Sequence, residues 1–410
     1  MQIRNGIPKF TEKMNIQREI ALRVSEALLK FPVVAVMGPR QSGKTTLCRM
    51  IRGDYTYVNL EDLSQRDFAK QDPIGFLSTF AGGVVIDEIQ HAPDLFSYLQ
   101  VAVDRHNQNG QYLITGSQHF LLSERIAQSL AGRVAIFNLL PFSVAELRAA
   151  HFRFDDWEPY LLSGGFPRKW LNGIDAFDYY ENYLRTYVER DVRLIKNILN
   201  LDAFQRFIRL LAGRVGQLFN QSALGCELGI DNKTIHSWMN LLEVSFIAFR
   251  LQPYYNNFSK RIVKTPKVYF YDTGLLSYLL GIRSIQELEL HFARGQLFEN
   301  YVILEKMKIR ENFGTHERFF FWRETGGCEV DLLIEDGLQL NAVEVKSAKT
   351  IHPDFFKCLE QFRRIKPEVR AWLVYGGGEF QQRSQATVMG FTRLGEIRGG
   401  ERPGRGLPGA

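Results

Sequence analysis

The feature that most constrains this chain is an octapeptide near its start. Residues 38–45 read Gly38-Pro39-Arg40-Gln41-Ser42-Gly43-Lys44-Thr45 and fit G-x-x-x-x-G-K-[ST] in full. The apolar run from Phe31 to Met37 precedes it, a helical stretch from Thr46 to Ile51 follows, and Gly53 sits where that helix would stop. Glycines let the backbone fold around a phosphate without side-chain clash. The loop N–H groups then point inward, and the positive end of the next helix faces the same anion. Lys44 is expected to reach the β- and γ-phosphates of a nucleoside triphosphate, and the Thr45 hydroxyl to hold Mg²⁺. Gly38 to Thr46 form the expected cofactor-binding stretch for ATP.

Further short apolar runs follow at Tyr55–Leu60, Gly83–Ile86, Gln111–Thr115 and Val134–Leu139, with helical segments between several of them. This alternation predicts a parallel sheet with helices on its faces. The run Val84-Val85-Ile86 ends in Asp87-Glu88. Asp87 is expected to bind Mg²⁺, and Glu88 to polarise the attacking water as general base. Leu113-Ile114-Thr115-Gly116-Ser117 is a second apolar run with a polar end, whose Ser117 would lie near the γ-phosphate. Arg125 and Arg133 are both candidates for an arginine finger, Arg133 the better one, and a surface role is open for either. A finger supplied by a neighbouring subunit would require a homo-oligomer.

From about 145 to 215 the pattern is mostly helical, with Tyr179, Tyr183, Tyr187, Phe204, Phe207 and Leu211 as core candidates. Residues 221–243 read as helix–turn–helix around Gly229, with Asp231 or Asn232 capping the second helix. Asn232, Lys233, His236 and Ser237 would be its exposed positions, and the basic run 259–264 would form a wing. Contact with DNA and a packing or oligomerisation role are equally open.

Near the C-terminus Asp331 lies in one strand-like run, and Glu344 and Lys346 share a side of another. Glu299 lies on the preceding helix and would add a metal ligand. Two carboxylates with a nearby lysine suit phosphodiester hydrolysis: the acids hold Mg²⁺, and the lysine orients or deprotonates water.

The strings GPRQSGKTTL, VVIDEIQ, LITGSQ, LLPFS (139–143), GGFPR (164–168), YVERDV (187–192) and TPKVYFYDTGLL (265–276) resemble the AAA-like ATPases with a C-terminal DUF4143 region. Glu299, Asp331, Glu344 and Lys346 resemble the PD-(D/E)xK nuclease pattern. The resemblance implies an α/β architecture in four segments: a P-loop NTPase domain with a parallel sheet (1–150), a helical lid (151–215), a winged-helix-like part (216–285) and a restriction-endonuclease-like α/β domain (286–396). The Gly/Pro-rich, charged end (397–410) reads as a disordered tail. The resemblance implies an ATPase, and nuclease catalysis by Glu344 and Lys346 is the further expectation.

Charge adds little. Lys and Arg exceed Asp and Glu by six in 410 residues, which permits DNA as a partner without requiring it. Cys48, Cys226, Cys328 and Cys358 lie far apart, so neither a zinc site nor a disulfide framework is expected. The N-terminus lacks the apolar stretch of a secretory signal and no run is long enough to span a membrane, so a cytoplasmic location is expected.

Overall fold

The computed structural model describes residues 16–106, 108–117, 129–154, 156–187, 200–254 and 263–397. Arg125, residues 188–192, the first part of the basic wing (259–262) and residues 398–410 lie outside them.

The N-terminal part is a five-stranded parallel sheet in the order β2-β3-β4-β1-β5. Its strands are β1 (Val33–Met37), β2 (Thr56–Asn59), β3 (Val84–Asp87), β4 (Tyr112–Gly116) and β5 (Val134–Asn138). All five residues of β1 are buried, because β4 and β5 flank it and helices cover both of its faces. Side chains alternate between those faces. Val33, Ala35 and Met37 pack with Phe76, Phe96 and Leu99 on one. Val34 and Val36 pack on the other with Ile20, with Val24 and Leu28 of helix α1 (Ala21–Leu28), and with Leu47 of helix α2 (Lys44–Ile51).

Residues from about 142 onward form a second body with a large core, which runs from Phe142 to Ile397 and also takes in Ile16, and a smaller one around Trp322, Leu333, Phe356 and Phe362. Tyr179, Tyr183, Tyr187, Phe204, Phe207 and Leu211 all belong to it. Helices Gln221–Leu228 and Asn232–Val244 flank Gly229, which is left-handed, and Asp231 caps the second helix by accepting from Thr234 N at 3.0 Å. Asn232, Lys233 and His236 are exposed and Ser237 is half-buried.

The same body contains an eight-stranded mixed sheet, ordered β12-β13-β11-β10-β9-β8-β6-β7. Strands β6 (Ala248–Pro253) and β7 (Lys267–Phe270), which follow the helix pair, join β8 (Arg318–Arg323), β9 (Glu329–Asp336) and β10 (Gln339–Lys346) in it. Strands β11 (Arg370–Tyr375), β12 (Gln381–Gln382) and β13 (Thr387–Gly390) complete it. A 20-residue helix, Arg294–Phe313, packs against β10 and β7.

Two expectations are corrected. Cys328 and Cys358 are joined in a disulfide that ties the start of β9 to helix Lys357–Ile365, although none was expected. The two cysteines are 30 residues apart, so no local spacing signals the pair. Ile397, counted with the tail, is fully buried. Among the described residues no helix is long and apolar enough to cross a membrane.

Candidate functional site

The expected phosphate loop joins β1 to α2. Gly38 has φ +153° and a Cβ there would lie 2.2 Å from Leu139 O, so the position excludes any side chain. Gly43, at φ +94°, turns the chain into α2. Lys44 is buried, and its Nζ donates to Gly38 O at 3.0 Å and Pro39 O at 2.9 Å. Burial pushes the Lys44 pKa down, with Glu88 and Asp87 opposing. Gln41 sits at φ +63° and accepts from Tyr179 Oη at 2.8 Å. Ser42 Oγ is buried without a hydrogen-bond partner among the described residues, a polar group turned toward the loop's own cradle. Thr46 is exposed on α2, and Arg40 pairs with Glu61 at 3.1 Å.

Because β3 lies two strands from β1, with β4 between, the acidic strand end and the polar strand end both reach the loop. Asp87 Oδ2 accepts from Thr45 Oγ1 at 2.7 Å and from Tyr57 Oη at 2.6 Å. Its other oxygen accepts from Thr115 Oγ1. Glu88 stands at φ +54°, a conformation that costs a non-glycine residue of order 1 kcal/mol and recurs at functional positions. Ser117 Oγ, at 3.0 Å, and Gln90 both donate to its carboxylate, and its own N–H donates to Thr115 Oγ1 at 3.2 Å. The structure thus gathers Lys44, Thr45, Asp87, Glu88 and Ser117. Thr45 and Asp87 offer hard oxygen donors of the kind Mg²⁺ takes.

Arg133 is not brought to this loop. It immediately precedes β5 and so lies at the opposite end of the sheet, roughly 16 Å away at about 3.3 Å per residue. There it pairs with Asp104 at 2.6 Å. As a finger it cannot serve its own chain's loop.

Arg18 carries no recognisable motif. Its buried guanidinium donates to Ser42 O at 2.8 Å, Leu140 O at 2.6 Å and Glu146 Oε1 at 2.9 Å, tying the phosphate loop to the LLPFS segment. Beside it Glu19 accepts from Asn312 Nδ2 at 2.8 Å. Burial, with the Glu146 carboxylate close by, pushes Glu19 up to about 7. A carboxyl whose folded pKa is raised stabilises fully below its unfolded value near 4.5 and loses that contribution as pH rises through about 7. Urea unfolding is therefore expected to show wild type losing about 2–3 kcal/mol relative to Glu19→Gln between pH 4.5 and 8. Parallel pH profiles for the two proteins would refute this.

The C-terminal carboxylates also converge. The β9–β10 register pairs Leu332 with Val343, and continuing it sets Asp331 opposite Glu344. Asp331 Oδ2 accepts from Val345 N at 2.8 Å and lies 3.9 Å from Lys346 Nζ, which donates to Glu344 Oε1 at 2.5 Å. Burial, then Asp331, drives the Glu344 carboxyl well above its usual range. Glu299, on helix Arg294–Phe313, joins them, and burial pushes it up to about 7 against the opposing pull of Lys267. Two further members were not foreseen: Lys267 of β7 and Glu329 of β9. Lys267 and Tyr269 alternate in an otherwise apolar strand, and that pattern was the available signal.

One helix links the two sites. Glu299 lies in the first turns of Arg294–Phe313, and its last turns grip the N-terminal part. Lys308 Nζ donates to Phe142 O at 2.9 Å, Glu305 accepts from Val144 N at 2.9 Å, and Glu311 accepts from Asn138 Nδ2 at 3.2 Å.

The family model described as an AAA domain matches residues 30–148. Two described as domains of unknown function, DUF8612 and DUF4143, match residues 154–286 and 294–394. The uncharacterized protein Rv2008c of Mycobacterium tuberculosis is 30% identical over 337 residues, 82% of this chain and 74% of that protein. The uncharacterized protein MJ1544 of Methanocaldococcus jannaschii is 26% identical over 364 residues, 78% of this chain and 75% of that protein. Among solved structures, the Walker-type ATPase paby2304 of Pyrococcus abyssi aligns at 16% identity and a TM-score of 0.42, over 67% of this chain and 99% of that one.

Proposed function

Because this chain belongs to the family of AAA-domain proteins that carry a C-terminal DUF4143 domain, we propose that it binds ATP with Mg²⁺ at residues 38–46 and hydrolyses it. The observation that carries this reading is the pairing of Thr45 with Asp87 at 2.7 Å beside Glu88, whose carboxylate Ser117 and Gln90 hold in place. In this reading Thr45 and Asp87 hold Mg²⁺, which when bound offsets charge on the β- and γ-phosphates. The loop amides and the Lys44 ammonium bind the phosphates. Glu88 accepts a hydrogen bond from water and orients it toward the γ-phosphorus. As the water oxygen bonds to phosphorus, the bond to the β,γ-bridging oxygen breaks. Glu88→Gln is expected to retain ATP binding while phosphate release falls roughly 100-fold or more. Unchanged release would remove Glu88 from the reaction.

The finer reading is that nucleotide state controls a module acting on nucleic acid, with DNA as the substrate. Asp331 and Glu344 would hold a divalent ion there and Lys346 would orient water. The orphaned Glu344 Oε2 fits a cation, and helix Arg294–Phe313 supports mechanical coupling between the halves. The exposed Asn232, Lys233 and His236 are candidate DNA contacts.

A second reading, an ATP-dependent binding switch with an inactive nuclease-like platform, is favoured by the burial of the acids. Asp331 is 7% exposed and Glu344 6%. Incubating the protein with ATP, Mg²⁺ or Mn²⁺ and single- or double-stranded DNA, while following phosphate release and strand scission together, separates the two. Scission lost in Asp331→Ala supports the nuclease, whereas DNA-stimulated phosphate release without scission supports the switch.

A further inference from the structure

The C-terminal carboxylates share their site with a cation that comes from another part of the chain. Lys267 is 1% exposed. Its Nζ donates to Glu299 Oε1 at 2.8 Å and pairs with Glu329. Tyr269 Oη donates to the same Glu299 oxygen at 2.5 Å. One oxygen each from Glu299, Glu329 and Asp331 lies within 4.8 Å of the others, an arrangement that could ligate a divalent ion. The ammonium stands against two of those three residues. On the other side of Asp331, Glu344 gives one oxygen to Lys346, while its buried Oε2 has no hydrogen-bond partner among the described residues.

Charge counting separates the two sides. Glu299 and Glu329 share the Lys267 ammonium, with Arg323 reaching the outer oxygen of Glu329 at 3.3 Å, while Asp331 and Glu344 share the half-exposed Lys346. A buried ammonium held by two carboxylates fills a cation position as a compact point charge. Glu329 also pairs with Arg323, so removing the ammonium would leave the buried Glu299 as the carboxylate without a cationic partner among the described residues.

We propose that Lys267 is the resident cation of this acid set. Its ammonium occupies the Glu299–Glu329–Asp331 position that a divalent ion would otherwise take, leaving only the Asp331–Glu344 side open to one such ion. The inference rests on reading the acid set as a cation site. Because it is tested on nucleotide-free protein, it stands or falls separately from ATP turnover.

The test is the number of Mn²⁺ ions bound per full-length chain, read by electron paramagnetic resonance of free Mn²⁺. Lys267→Met is expected to bind one ion more than wild type. Adding Glu299→Gln to that variant should remove the extra ion. Lys267→Met should also melt lower without metal and recover with Mn²⁺. Equal Mn²⁺ counts in wild type and Lys267→Met would overturn the proposal. Should Lys267→Met fail to fold, Glu299→Gln in the otherwise wild-type chain decides the matter. Glu299 is already taken by the ammonium, so the Mn²⁺ count should not change. A loss of one ion would show that Glu299 ligates metal with Lys267 present, and would overturn the proposal.

Discussion

Lys44→Ala is expected to lower the rate of ATP turnover by two to three orders of magnitude. The Lys44 side chain is buried at the N-terminus of α2, and its ammonium sits between the carbonyls of Gly38 and Pro39 at the mouth of the loop. No other ammonium is hydrogen-bonded within the loop among the described residues. Arg40 already pairs with Glu61, and Arg18 is committed to Ser42 O, Leu140 O and Glu146. When the γ-phosphoryl group departs, charge accumulates on its oxygens and the lost ammonium leaves that charge poorly stabilised. Phosphate release by the purified protein with ATP and Mg²⁺ is the measurement. Turnover within tenfold of wild type would refute the assignment of residues 38–46.

The second large effect falls on stability. Arg18→Ala is expected to cost about 3–5 kcal/mol in urea unfolding, because it leaves the fully buried Glu146 carboxylate without its cationic partner. Ser42 O and Leu140 O lose a donor in the same step. Glu146 also completes a capping box with Ser143, so the helix that begins there should loosen too. A double-mutant cycle with Glu146→Gln should return a coupling energy above about 1 kcal/mol. A cost below about 1 kcal/mol for Arg18→Ala would mean that water replaces the guanidinium in this interface.

The strands of the first sheet and β8 to β10 of the second were legible in the sequence because buried strands demand Val-, Ile- and Leu-rich runs, as in Val33–Met37 and Glu329–Asp336, whereas β11 to β13 were not read as strands. The grouping of the phosphate loop with Asp87 and Glu88 was legible because it follows from local spacing and the ends of parallel strands. Arg18 was not. It stands in a polar stretch that reads as solvated, and its partners Leu140 and Glu146 lie more than 120 residues away. Arg133 is set apart from its own loop for a topological reason. It follows Ser117 in sequence, but a parallel strand restarts at the far end of the sheet. The Cys328–Cys358 link depends on helix Lys357–Ile365 docking beside β9, which spacing alone does not encode.

The helix Arg294–Phe313 also bears on how such a chain can be divided. From Glu299 to Glu311 its axis advances about 18 Å, and both ends are anchored by buried polar side chains. A fragment ending near residue 290 would surrender Glu305, Lys308 and Asn312, and with them the acceptor of Val144 N and one donor each to Phe142 O and Glu19. A fragment beginning there would carry Lys308 with its contacts at Phe142 and Tyr160 gone. A chimaera that replaced either half alone would therefore have to rebuild the seam along this rod.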